Sequence, residues 1–204
     1  MKKQVEPTVF LVDDDPAILR ILTRLVRSLG LKAAAYKSAD AFLKAYQPPE
    51  PGCLVLDVRM PGMSGLEVQS HLAATQDTLP IIFITGYGDV RMAVEAMERG
   101  AFSFLEKPFR TQELCDKIQE AVRLAEKNWQ RRREREEAVA RLATLTPAER
   151  RVLEPLVAGG TNKMVAAGLG ISVRTVEVHR ARIMKKLRLK TRTELLKLVH
   201  AAAQ

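Results

Sequence analysis

Five short apolar runs, TVFLV (8–12), LKAAAY (31–36), CLVL (53–56), PIIFIT (80–85) and AFSFL (101–105), recur through the first half of the chain, each followed by a segment with helical spacing. No other feature constrains the fold as tightly. The runs read as strands, and their alternation with helices implies a parallel sheet covered on both faces, an α/β doubly wound domain. Cap signals agree: Asp15 precedes Pro16 at a helix start, and Ser64 with Glu67 makes an S-x-x-E capping box. In such sheets ligands gather outside the carboxyl ends of the strands.

Those ends carry chemistry. The first strand ends in Asp13, Asp14 and Asp15, the third in Asp57 and the fourth in Thr85, and the fifth is followed by Lys107. Clustered carboxylates repel one another and call for a cation, and hard oxygen ligands with room for water suit Mg²⁺. A hydroxyl and an ammonium beside them suit a phosphoryl group, with Asp57 as the nucleophile that forms an acyl phosphate. Taken alone, DDDP is equally a solvated helix start. The matching strand ends favour the site.

Composition divides the 204 residues. Residues 1–126 carry 15 Lys/Arg against 17 Asp/Glu, which leaves 18 against 7 for residues 127–204 out of a net charge of +9. A near-neutral first part and a basic second part point to a polyanionic partner for the second alone, nucleic acid first. Cys53 and Cys115 fit no disulfide framework, and His71, His179 and His200 form no metal motif. Nothing reads as a signal peptide or a membrane span, so a reduced, cytoplasmic protein is expected.

The segments LVDDDP, LDVRMPGMSGLE and ITGYGDVRMAVEAMERGAFSFLEKPF resemble the receiver domain of two-component response regulators of the FixJ-like subgroup, over about residues 7–125. The resemblance implies a flavodoxin-like sheet of order 2-1-3-4-5 and phosphorylation of Asp57 by a sensor histidine kinase. It implies Mg²⁺ held by Asp14 and Asp57, by Asp13 through water, and by the backbone carbonyl of Arg59, with Asp15 left as a helix cap. Thr85 and Lys107 would bind phosphoryl oxygens, Arg59 and Tyr87 would flank them, and Phe104 would be the aromatic switch that turns inward as Thr85 moves. A cis Lys107–Pro108 bond is also implied.

From Gln112 the helical pattern continues, with Ile118, Val122, Ala125, Trp129 and Val139 in line, interrupted at Arg132 and Glu136. It reads either as a signalling helix that pairs with its copy or as a solvated linker held by i,i+4 charge pairs. A new domain begins near Leu145. Thr146, Pro147 and Glu149 open a helix that Gly159–Gly160 ends; residues 162–168 form a second; Gly170 turns the chain, and Ser172 caps a third that runs to about Leu187. Val176, Ile183 and Leu187 mark its inner face. Arg174, Glu177, Val178, Ala181, Arg182 and Lys185 are expected opposite, with Glu177 suited to accept from cytosine N4 and Arg180, Lys185 and Lys186 suited to phosphates. Thr191 and Glu194 cap a last helix with Leu195, Leu196 and Val199 on one side.

The stretch LTPAERRVLEPLVAGGTNKMVAAGLGISVRTVEVHRARIMKKLRLKTRTELLKLV resembles the LuxR/NarL-type helix-turn-helix domain, departing from it at Pro155, Met164 and Gly168. By that resemblance the third helix enters the major groove of double-stranded DNA, Asn162, Lys163 and Thr175 meet phosphates, and the last helix dimerises. The chain is thus expected to comprise a receiver (1–125), a helical linker (126–142) and an all-α DNA-binding domain (143–204). The expected function is a transcriptional regulator that dimerises when phosphorylated, binds promoter half-sites and works with RNA polymerase, with self-directed phosphoryl chemistry only. Two rivals keep part of this pattern: a haloacid-dehalogenase-type phosphatase using Asp13 and Asp15, and a DNA-binding protein whose first domain is a constitutive dimerisation module. The first leaves Asp57 and the basic domain unexplained, and the second leaves the acidic site without a purpose.

Overall fold

The computed structural model describes residues 5–48, 51–75, 78–86 and 90–203. The chain divides into two compact units, Met1–Trp129 and Gln130–Gln204. In the first, β1 (Thr8–Val12), α1 (Pro16–Ser28), β2 (Lys32–Tyr36), α2 (Ala39–Ala45), β3 (Gly52–Asp57), α3 (Gly65–Ala74), β4 (Ile81–Thr85), α4 (Val90–Glu98) and β5 (Ser103–Glu106) alternate strictly, and α5 (Thr111–Ala143) begins there. The five strands lie in the order β2-β1-β3-β4-β5, all parallel.

Burial follows position in the sheet. The central strands β1, β3 and β4 are buried throughout, because helices cover both faces, whereas the edge strands β2 and β5 are buried only in part. Successive residues point to opposite faces: Val9, Leu11, Val55, Ile82 and Ile84 join Leu22 of α1 and Ile118 of α5 in one core. Phe10, Val12, Leu54, Leu56 and Phe83 meet Phe42 of α2 and Val68 of α3 in the other. Each fully buried side chain of this size contributes about 1.5–3 kcal/mol against leaving it in water.

The caps hold the helices at the functional edge. Asp15 accepts from the Ala17 amide at 2.7 Å, and the Ser64–Glu67 box is closed in both directions. A Cβ at Gly65 would sit 2.5 Å from the Asp57 carbonyl, so only glycine lets α3 start this close to the tip of β3. The fifth strand starts two residues later than its apolar run. The Ala101 amide turns back to Ala96 at the end of α4, and pairing with β4 begins only when Phe102 donates to Ile81.

The second unit contains the end of α5 with α6 (Pro147–Val157), α7 (Asn162–Leu169), α8 (Val173–Lys186) and α9 (Arg192–Ala203). Thr146–Glu149 is a complete capping box, and Gly170 takes a left-handed φ of 66° in the turn between α7 and α8. Val152, Leu156, Val165, Val176, Ile183 and Leu187 form the core. On α5, Ala138 enters this core while Val139 is exposed. On α9, Leu195 and Leu198 are buried while Leu196 is exposed. Between Trp129 and Ala138 the helix α5 is polar, and Gln130–Glu134 and Arg132–Glu136 pair one turn apart at 2.7 and 3.1 Å.

Candidate functional site

Parallel pairing brings the carboxyl ends of β1, β3 and β4 to one edge, and the expected groups are found there. Asp13, Asp57 and Thr85 are all buried, at 1%, 6% and 1% exposure. The Lys107 ammonium bridges the two carboxylates, donating to Asp13 Oδ2 at 2.8 Å and to Asp57 Oδ1 at 2.7 Å. The other Asp57 oxygen, Oδ2, accepts from the Arg59 amide at 2.7 Å, and Asp13 Oδ1 accepts from the Asp15 amide at 2.9 Å. The Lys107 amide donates to the Thr85 carbonyl at 2.7 Å, which ties the β5 loop to the end of β4; the peptide bond to Pro108 is cis.

Among the described residues, the Lys107 ammonium is shared between the two buried carboxylates. Burial pushes the Asp57 carboxyl above its ordinary value; the Lys107 and Arg59 hydrogen bonds oppose this, and the charge of Asp13 adds to it. Burial pulls on Lys107 in the opposite direction, but its hydrogen bonds and attraction to Asp13 and Asp57 prevail and hold it above the usual lysine value. Asp57 is therefore a buried carboxylate whose burial outweighs the donors that meet it. Hard oxygens with surplus charge fit a divalent cation such as Mg²⁺.

Asp14 and the Arg59 side chain are exposed at the rim. Among the described residues no three His, Cys, Asp or Glu groups converge as they stand, so Asp14 is not drawn into a cluster with Asp13 and Asp57. Phe104 is half-buried and packs on Phe83, its register partner across β4 and β5, with ring centroids 6.3 Å apart. Tyr87 lies outside the described residues.

The second unit presents α8. Ser172 accepts from the Thr175 amide at 3.0 Å and its hydroxyl meets that of Thr175 at 2.8 Å, so the first turn is organised by its cap. Arg174, Thr175, Val178, Ala181, Arg182 and Lys185 are exposed along the helix. Glu177 and Arg180 are exposed too, and they line a cleft with Asn162, Lys163 and Arg192. A cationic rim on α7 and α8 suits a phosphate backbone.

Lys186, expected to meet phosphates, also has a partner within the unit. Its ammonium donates to Glu149 Oε2 at 2.7 Å. Glu149 is 3% exposed and also accepts from the Thr146 amide at 2.8 Å and its hydroxyl at 3.0 Å. The hydrogen bond from Lys186, then that from the Thr146 amide, hold the Glu149 carboxyl down to about 2. The capping box is visible in the sequence; its second partner, 37 residues away, is not.

A model of the response regulator receiver domain matches residues 9–119, and a model of the luxR family of bacterial regulatory proteins matches residues 143–199. Nodulation protein W of Bradyrhizobium diazoefficiens is 45% identical over 194 residues, covering 93% of this chain and 84% of that protein. Transcriptional regulatory protein FixJ of the same organism is 42% identical over 194 residues, covering 95% of each. Among solved structures, the response regulator StyR superposes with a TM-score of 0.87 at 43% identity, covering 96% of this chain and 98% of that one.

Proposed function

Because the chain belongs to the FixJ-like response regulators, transcriptional regulators that join a receiver to a LuxR-type DNA-binding domain, we propose that Mg²⁺-dependent phosphorylation of Asp57 switches it into a dimer that binds DNA. The observation that carries this reading is the Lys107 bridge between Asp13 and Asp57, which orients one Asp57 oxygen while leaving the site short of positive charge.

An Asp57 oxygen attacks the phosphorus of a phosphohistidine on the sensor kinase. The O–P bond forms as the N–P bond breaks, and the imidazole leaves with the electron pair and takes a proton from solvent. Lys107 then turns from the carboxylate to a phosphoryl oxygen, and the Thr85 hydroxyl donates to another. Asp13, Asp14, Asp57 and the Arg59 carbonyl are the groups that would hold Mg²⁺, which when bound supplies the missing positive charge. Attack of water on the acyl phosphate later resets the site, so the chemistry is directed at the protein itself. Movement of Thr85 opens room at the end of β4 for Phe104, and the changed surface on α4 and β5 favours a receiver dimer.

Residues 1–125 act as the receiver, 126–142 as the linker and 143–204 as the DNA-binding domain. Two copies set two α8 helices on paired half-sites in the major groove, where Arg174, Glu177, Val178, Ala181 and Arg182 face base edges and Asn162, Lys163, Thr175, Arg180 and Lys185 grip phosphates. RNA polymerase is the partner of the bound dimer, and the cytoplasm is its place of work. Among the described residues no helix is long and apolar enough to cross a membrane. Intact-mass analysis and sedimentation with a small phosphodonor, with and without Mg²⁺, test the proposal. One added phosphoryl group and a shift to dimer, both Mg²⁺-dependent, are expected; catalytic turnover of phosphate esters without a stable adduct defeats it in favour of a phosphatase.

A further inference from the structure

The last turn of α8 is held from outside the helix-turn-helix pair. The Ile183, Met184 and Lys185 carbonyls of that turn accept from the Leu187, Leu189 and Arg188 amides just past the helix, and the carbonyl of the cap residue Leu187 accepts from the Arg141 guanidinium at the end of α5. On the other side Lys186 is gripped by Glu149, which also caps α6 through Thr146, just past the point where α5 ends. Ala138 and Leu145 bracket these contacts in the core, at 1% and 4% exposure, and Leu187 is fully buried. The end of α5 is therefore part of the DNA-binding unit and bonded to the end of its exposed helix.

Resting on the reading of α8 as the DNA-reading helix, we infer that Arg141 and Glu149 are positioning residues for sequence recognition: they fix the last turn of α8 to the end of α5, so the linking helix sets the angle at which α8 meets the duplex. The amino end of α8 is placed by the Gly170 turn and the Ser172 cap and its inner face by Val176, Ile183 and Leu187 in the core; the Arg141 and Glu149 contacts add direct polar ties between its last turn and the end of α5. A turn of the α5 end is then delivered to α8 through Arg141 and Glu149 without passing through α7. Pairing with Glu149 also withholds the Lys186 charge from the phosphate backbone.

The two anchors have separable signatures, measured on the phosphorylated full-length chain with a mixed-sequence duplex and with a site selected from a randomised library, each at several salt concentrations. Glu149→Gln frees the Lys186 ammonium, so binding to the mixed duplex tightens and its salt slope steepens by about 0.9 per protomer. The preference for the selected site falls by about tenfold, the scale of one wrong base pair. A part that merely stabilises the fold would weaken both duplexes together. Arg141→Ala lowers the preference by a similar factor with an unchanged salt slope, and Arg141→Lys restores part of it. If Glu149→Gln fails to fold, the Arg141 pair decides. Wild-type preference in both Glu149→Gln and Arg141→Ala overturns the inference alone, whereas a wild-type chain that binds neither duplex overturns the reading of α8 beneath it.

Discussion

Two buried carboxylates in this molecule each meet a lysine at 2.7 Å, Asp57 with Lys107 and Glu149 with Lys186, yet their protons respond in opposite directions. The Asp57 carboxyl is raised and the Glu149 carboxyl is held to about 2. The difference lies in the company each keeps. Glu149 has Lys186 and the Thr146 amide and hydroxyl donating to it, so its charge is matched. Asp57 divides Lys107 with Asp13 and has one further donor, the Arg59 amide, so burial outweighs its partners. A distance between charges does not set a carboxylate's proton affinity; the cost of burial, which leads at Asp57, weighed against the donors, which lead at Glu149, does. The proposed function places a cation and a phosphoryl group at the first site, while Glu149 pairs with Lys186 of α8 and closes the α6 capping box.

The harshest way to break this comparison is to neutralise the unmatched anion. Asp57→Asn should abolish Mg²⁺-dependent phosphorylation, seen as complete loss of the phosphoryl mass, and should stabilise the unphosphorylated fold by about 1 kcal/mol because a poorly compensated buried charge is gone. Thermal unfolding without Mg²⁺ reads the second effect. A lower Tm would mean that Asp57 is as well satisfied as Glu149.

A site poised for change should also transmit it. Thr85→Ala keeps the nucleophile, so the phosphoryl mass should still appear, but about tenfold of the phosphorylation-dependent gain in DNA affinity should disappear, as the link to Phe104 is cut. A full gain in the variant removes Thr85 from the relay.

The pH dependence of stability sharpens the contrast. With its folded-state value lowered from 4.5 to about 2, Glu149 contributes stability that is complete above 4.5 and is lost as the pH falls toward about 2. The raised Asp57 works the other way: its contribution is complete below the ordinary value of 3.8 and is lost as the pH rises through its higher folded-state value. Lys107, raised above 10.5, contributes stability that is lost only as the pH rises through its folded-state value. Unfolding midpoints measured from acid to alkaline pH should therefore show the acid loss vanish in Glu149→Gln and the fall above 3.8 vanish in Asp57→Asn. The smallest effect separates neighbours on α8. Lys185→Ala should reduce the salt slope of DNA binding by about one unit per protomer, and Lys186→Ala by clearly less, because the latter's charge is committed to Glu149. Equal slopes would return Lys186 to the phosphate contacts.

Much of this architecture was legible in the chain because it is written in local spacing. Alternating apolar runs predicted the five strands, Ser64–Glu67 and Thr146–Glu149 predicted helix starts, and each depends on residues three or four positions apart. The meeting of Lys107 with Asp13, 94 residues away, was legible too, since strands that all run parallel must end on one edge. No comparable rule governs a bundle of short helices. That Lys186 meets Glu149, that Ala138 enters the core, and that Arg141 meets the Leu187 carbonyl depend on crossing angles and rotations set by packing the whole unit. The sequence by itself determined the sheet, its helices and the convergence of Asp13, Asp57, Thr85 and Lys107. Only the tertiary structure decided which charges are matched, because a carboxylate's proton affinity reports the full set of donors and the burial around it, and both are sums over distant parts of the chain.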